Sequence, residues 1–232
     1  LILGGLQDNG NALQSATGSV IWNSVAQGDG AHVEVEGTLY YYSANNFVSF
    51  GFAAPLVNPA GVGANSIVVP GGTPIQAGDR LLLPQENFYM RVQGTAAAGP
   101  NLQVNFLPAD TLANAYGAGT PALVDLSASG GLIVAGTGAP GTDIYGVDNT
   151  IQFVQPFETN TVTPNSLLIG THFVYESTNN GRNLTLLNGN PVAAGGGFNL
   201  PSGANIGEVN GLVYGGRQPD GMGGFTNHAD LI

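Results

Sequence analysis

The opening ten residues, Leu1-Ile-Leu-Gly-Gly-Leu-Gln-Asp-Asn-Gly10, return near the far end as Leu212-Val-Tyr-Gly-Gly-Arg-Gln-Pro-Asp-Gly221. Leu, the Gly-Gly pair, Gln and the final Gly keep the same spacing in both copies. An apolar run leading into a Gly-bounded turn, present twice, is a supersecondary unit used more than once. Such a unit buries its apolar face against neighbours of its own kind. Thirty-seven Gly and fourteen Pro interrupt the 232 residues too often for long helices. The expected class is all-β.

Apolar triplets that open such units start at positions 1, 81, 132, 167 and 212. The clearest is Leu167-Leu-Ile-Gly-Thr-His-Phe-Val-Tyr-Glu-Ser177, a strand, a turn and an aromatic strand. Leu81-Leu-Leu-Pro-Gln-Glu-Asn-Phe-Tyr-Met-Arg91 repeats the arrangement, and Gly131-Leu-Ile-Val-Ala-Gly-Thr-Gly138 followed by Ile144-Tyr145 is a third version. A further unit falls in the first gap. There Ala31-His-Val-Glu-Val-Glu-Gly37 alternates as a half-buried strand does, and Thr38-Leu-Tyr-Tyr-Tyr-Ser43 favours a pleated surface. The spacing gives units of about 40 to 50 residues, the length of a four-stranded propeller blade. Residues 55–78 and 189–206, rich in Gly, Pro, Ala and Asn, read as loops or insertions.

Composition bounds the partners. Fifteen acidic residues face four Arg and no Lys, a net charge of −11, which repels phosphate backbones and sets nucleic acid aside. No apolar stretch reaches the ~20 residues of a membrane-spanning helix, so membrane insertion is not expected. Cysteine is absent, which removes disulfides and zinc–thiolate sites together. The chain shows no basic n-region or apolar h-region and opens and closes inside strand-like runs. It therefore reads as a piece of a longer polypeptide.

Ser43-Ala-Asn-Asn-Phe-Val-Ser-Phe50 and Ser177-Thr-Asn-Asn-Gly-Arg-Asn-Leu184 share Ser-x-Asn-Asn and lie 134 residues apart, close to three units. Both resemble the Asp-box of bacterial-neuraminidase-type repeats, Ser-x-Asp-x-Gly-x-Thr-Trp. In that motif an Asp holds the tight turn between the outer two strands of a blade. Asn45 and Asn179 stand at the Asp position, and their amide oxygens can still accept from turn N–H groups. Gly181 keeps the turn glycine, whereas Phe47 departs from it. Gly4-Gly-Leu-Gln-Asp-Asn-Gly10, Gln27-Gly-Asp-Gly-Ala-His-Val-Glu-Val35 and Val162-Thr-Pro-Asn-Ser-Leu-Leu-Ile-Gly-Thr171 resemble segments of sortilin-like and xyloglucanase-like propellers. The resemblance covers residues 1 to 50 and 150 to 221. It implies a bacterial extracellular Asp-box propeller of the kind found in large, Lys-poor, calcium-dependent secreted proteins.

Chemistry is sparse. Asp8 with Asn9, and Asp29 between Gly28 and Gly30, occupy turns where Asx side chains cap the backbone. The same oxygens are the hard ligands calcium prefers, so Asp8 and Asp29 are the candidate metal ligands and calcium the candidate cofactor. Asp143 and Asp148 bracket Ile144–Val147 without EF-hand spacing. A sialidase needs an Arg cluster and a Tyr nucleophile activated by Glu, and four Arg in all leave little for it. A xyloglucanase-like hydrolase needs two opposed carboxylates, for which Asp29 and Glu158 are the nominal pair. His32, His172 and His228 lack zinc spacing, no Gly-x-Ser-x-Gly elbow occurs, and Gly195-Gly-Gly197 lacks the helix of a phosphate cradle. Asn183-Leu-Thr185 fits an N-glycosylation acceptor.

The expectation is thus an all-β chain, a β-propeller fragment of about five four-stranded blade-like units with an irregular middle insertion. Residues 1–54 and 131–232 would hold blade units and residues 55–130 the irregular region. The expected role is a non-catalytic structural or adhesive module, extracellular or at the cell surface, joined to the rest of its polypeptide or to like subunits. A carbohydrate-active propeller, binding or cleaving polysaccharide, is the alternative. A filament or virion subunit is the second. Exposed rings flanked by Asp or Asn would favour the carbohydrate class.

Overall fold

A computed structural model describes residues 3–6, 10–14, 18–26, 29–135, 143–148, 151–171, 173–188, 212–220 and 224–228. Regular structure among these is almost all strand. The exceptions are a single turn of 3-10 helix at Asn45–Phe47 and one four-residue helix. The chain divides into two compact units, Leu1–Ser129 and Gly130–Ile232.

In the first unit, β1 (Leu3–Leu6), β2 (Gly10–Gln14) and β3 (Trp22–Ala26) form a three-stranded antiparallel sheet. The next eight strands are β4 (Gly30–Glu36), β5 (Leu39–Ala44), β6 (Phe50–Pro55), β7 (Ser66–Pro70), β8 (Arg80–Leu82), β9 (Met90–Ala98), β10 (Asn101–Phe106) and β11 (Pro121–Asp125). They make one antiparallel sheet in the order β4-β5-β6-β11-β8-β9-β10-β7. Segment 55–78, read above as loop, therefore carries an edge strand. Ile67 and Val69 of β7 are buried while their neighbours are not, a two-residue alternation that the surrounding Gly and Pro masked in the sequence.

The core of this sheet lies on both faces of its middle strands. Tyr41 and Tyr42 are adjacent in β5 and both fully packed, so the strand is covered on both faces there. Tyr42 clusters with Leu13 of β2, Ala53 and Leu123, so the three-stranded sheet covers that face. Tyr41 meets Phe52 edge-on at 6.2 Å on the other. At the sheet edge, β4 is half-buried except at the exposed Val35, instead of alternating sharply, because only one side of it has a strand partner. At Gly51 the sheet closes tightly, and a Cβ there would overlap the Val124 carbonyl.

The second unit holds β12 (Ile133–Val134), α1 (Ile144–Val147), β13 (Phe157–Thr159), β14 (Leu167–Gly170), β15 (Val174–Ser177) and β16 (Asn183–Asn188). Strands β13 to β16 are a consecutive antiparallel meander, and β12 adds to β16 in parallel. Leu167, Leu168 and Ile169 are all fully buried, so β14 has no solvent face. Ile144-Tyr145, expected as strand, is helical. Asp143 caps it by accepting from the Gly146 N–H at 3.0 Å, a local bond that competes with extended structure. A hairpin of β17 (Gly216–Pro219) and β18 (Phe225–His228) follows.

The described residues of the repeated decapeptide include a hairpin strand in both copies. Leu3–Leu6 enters the β1–β2 hairpin and Gly216–Pro219 the β17–β18 hairpin. The described strands form sheets of three, eight, five and two, none closed into a barrel. Among the described strands, β13–β16 alone is a run of four consecutive strands of the expected kind.

Candidate functional site

The polar chemistry of the first unit converges on the loop between β8 and β9. Leu83 is buried at its root, and a turn at Pro84-Gln85, with Gln85 at φ 72°, reverses the chain. Glu86 then points inward, 7% exposed. Its Oε1 accepts from the Ala113 N–H at 3.0 Å, the Asn114 N–H at 3.1 Å and the Tyr116 hydroxyl at 2.8 Å. Asn114 in return donates to the Gln85 carbonyl at 3.3 Å. One carboxylate thus ties the loop to the 113–116 segment. Its other oxygen, Oε2, is buried without a hydrogen-bond partner.

The far end of the loop is tied by a second buried carboxylate. Asp125, at the end of β11, accepts from the Tyr89 hydroxyl at 2.7 Å and the Ser49 hydroxyl at 3.3 Å on one oxygen, and from the Ala128 N–H at 3.0 Å on the other. Between these anchors the loop exposes Gln85, Asn87, Phe88 and Tyr89. Phe88 is 42% and Tyr89 38% exposed, so two adjacent rings face solvent on this tethered loop.

These tyrosines are held neutral. Burial, then the hydrogen bond and charge of Asp125, push the Tyr89 phenol well above its ordinary value, against a smaller opposing pull from Arg80. Burial and Glu86 do the same to Tyr116. Burial and Asp148 raise Tyr175, whose hydroxyl shares Asp148 Oδ2 with the Thr171 hydroxyl at 3.0 and 2.6 Å. A tyrosine nucleophile needs the opposite shift. Arg91 is engaged with Asp110, through its backbone N–H at 2.8 Å and its Nε at 3.4 Å.

Of the two calcium candidates, Asp8 lies outside the described residues. Asp29 is used as a stitch: its carboxylate accepts from the Asn45 side-chain amide at 3.2 Å, and its carbonyl accepts from the Asn45 N–H at 2.9 Å. Asp29 belongs to the first unit, and Glu158, on β13, to the second. His32 contacts Glu34 at 3.0 Å, His172 lies outside the described residues, and His228 is exposed on β18. Gly195-Gly-Gly197 is likewise outside them. Asn183 and Thr185 of the glycosylation sequon are exposed on β16.

The two Ser-x-Asn-Asn segments both form strand connections, β5 to β6 and β15 to β16. In the second, Asn179 Oδ1 accepts from the Asn183 N–H at 2.9 Å and from the Ser177 hydroxyl at 3.0 Å. Ser177 Oγ accepts from the Gly181 N–H at 2.8 Å. Leu184 beyond the turn is fully buried. In the first, Asn45 turns away to Asp29, yet Phe47 adopts φ 58° where Gly181 adopts 86°. That left-handed conformation costs a non-glycine residue roughly 1–2 kcal/mol. Complete burial of Phe47 and its stacking on Phe50 at 4.8 Å offset it.

Phe88-Tyr89, expected as the aromatic pair of a strand, lie before β9, and Glu86 and Asp125 were not among the expected site residues. The available signal was Gln-Glu-Asn immediately before the pair, a polar run that moves the rings out of β9 into the turn. The fold and site define an all-β protein with a doubly anchored, aromatic-tipped loop. No protein-family model, curated protein or solved structure matches the chain.

Proposed function

We propose that this chain is a non-catalytic structural or adhesive module of a larger extracellular bacterial protein, built from propeller-type units and presenting the β8–β9 loop as its contact element. The observation that carries the reading is the use of the buried carboxylates. Glu86, Asp125 and Asp148 each accept several bonds from hydroxyl or backbone donors, and the tyrosines they hold are pushed toward the neutral form. Groups used in this way rigidify loops.

The propeller part of the reading is supported by the β13–β16 meander and by the Asn179 turn, whose side-chain bonds match what an Asp-box resemblance implies. The paired hairpins opened by the repeated decapeptide add to it. The test is to incubate the chain with insoluble matrix from bacterial biofilm, pellet it, and assay the supernatant for released reducing ends. Retention in the pellet with no reducing ends above the blank is the expected outcome. Steady release of reducing ends would replace the reading with a glycosidase, and full recovery in the supernatant would remove adhesion.

A further inference from the structure

Loops on a sheet rim ordinarily point polar side chains at water and leave large rings inside. Here the loop departs from that at Glu86 and at its two rings. The charged side chain, Glu86, is buried, and two rings and two amides face out. The Tyr89 hydroxyl is occupied by Asp125, so the rest of the ring is what an incoming molecule meets. Two independent tethers hold the loop before any ligand arrives, which lowers the ordering cost of binding.

The chemistry of these exposed groups selects the partner. Rings offer apolar faces with a negative quadrupole, which suit the C–H faces of a pyranose. Primary amides offer both donors and acceptors, which suit hydroxyl groups in either role. The exposed loop residues Gln85, Asn87, Phe88 and Tyr89 are all uncharged. Arg80 and Asp125, the charges acting on Tyr89, are of opposite sign, and the chain as a whole carries −11. A polyanion would approach against that field. Resting on the adhesive reading above, we infer that the β8–β9 loop is a recognition site for a neutral polysaccharide. Sugar faces stack on Phe88 and Tyr89, and hydroxyls bond to the side-chain amides of Gln85 and Asn87.

The test is affinity electrophoresis of the folded chain through gels containing hydroxyethylcellulose, galactomannan or dextran, with alginate as the anionic counterpart. At least one neutral polymer is expected to retard the wild type. Phe88→Ala weakens that retardation about tenfold or more, the usual effect of removing an aromatic anchor, while the melting temperature stays unchanged. Tyr89→Phe keeps the ring and should retain most of the retardation while melting earlier. No retardation by any neutral polymer, or full retardation of Phe88→Ala, overturns the inference. Retardation by alginate alone does so too, but leaves the adhesive reading standing. A concentration-dependent dimer abolished by Phe88→Ala, without retardation, would reassign the loop to self-association. Failure to bind any polymer or the biofilm matrix removes both readings together.

Discussion

Asp125 and Glu86 are the residues on which the loop geometry rests, and their surroundings differ in a way mutation can read. Asp125 uses both oxygens, so Asp125→Ala leaves the Tyr89 and Ser49 hydroxyls and the Ala128 N–H short of an acceptor. A loss of about 2–3 kcal/mol is expected in urea unfolding; a change within error would mean that the loop is held elsewhere. Glu86→Ala should cost a similar amount, whereas Glu86→Gln keeps the Oε1 acceptor and places a neutral group where Oε2 has no partner. The amide variant should therefore lose less than half of what the alanine variant loses. Asp29→Ala removes one bond to Asn45, a cost of about 1 kcal/mol that chelation should not alter. A melting temperature that falls on adding EDTA to the wild type would instead support calcium as a stabiliser. The tyrosines set the response to alkali. Tyr41, Tyr42, Tyr89, Tyr116 and Tyr175 all have phenols raised chiefly by burial. An unfolded tyrosine ionises near pH 10, and the folded chain resists that ionisation. The stability tied to neutral phenols is thus complete below about pH 10 and is lost as pH rises beyond it. Thermal melts should fall steeply above that pH, with the absorbance of these five phenolates appearing together with unfolding; all eight tyrosines of the chain titrating at ordinary pH in the intact fold would contradict the burial.

At the scale of elements, the β15–β16 connection gives a sharp comparison. Asn179→Ala deletes the acceptor for the Asn183 N–H and the Ser177 hydroxyl and should cost about 1–2 kcal/mol. Asn179→Asp keeps the acceptor and adds charge assistance, so it should melt at or above the wild type. An Asp variant as unstable as the Ala variant would mean the turn is held by its backbone alone. Gly51→Ala forces a Cβ against the Val124 carbonyl in the middle of the large sheet and should cost roughly 1–3 kcal/mol. Which elements were legible in the sequence follows from the same physics. Leu167–Ser177 and Leu81–Arg91 were readable because apolar triplets and turn residues agree, and each became a strand, a connection and a strand. Ile144-Tyr145 was not, since Asp143 capping, a bond of one residue to its third neighbour, outweighs the β preference of two apolar side chains. The full packing of Tyr41 and Tyr42 was hidden as well. Alternation reports one covered face, and only the second sheet, laid over β5 through Leu13, covers the other.

For the whole molecule, class and topology separate. Gly and Pro density and strand-length apolar runs establish all-β, because they act locally. The order β4-β5-β6-β11-β8-β9-β10-β7 depends on pairing between strands up to about 70 residues apart, for which spacing carries no signal. The candidate site was illegible for a related reason. Glu86 and Asp125 are 39 positions apart and act on one loop only after β8 and β11 pair. In the proposed function, this scaffold holds an aromatic loop rigid so that it attaches, without chemistry, to an extracellular polymer. Pelleting wild type and Phe88→Ala with biofilm matrix, while assaying reducing ends, tests it most directly. Wild type in the pellet, the variant in the supernatant and no released sugar is the expected result. Equal partitioning of the two proteins, or reducing ends rising with time, would contradict it.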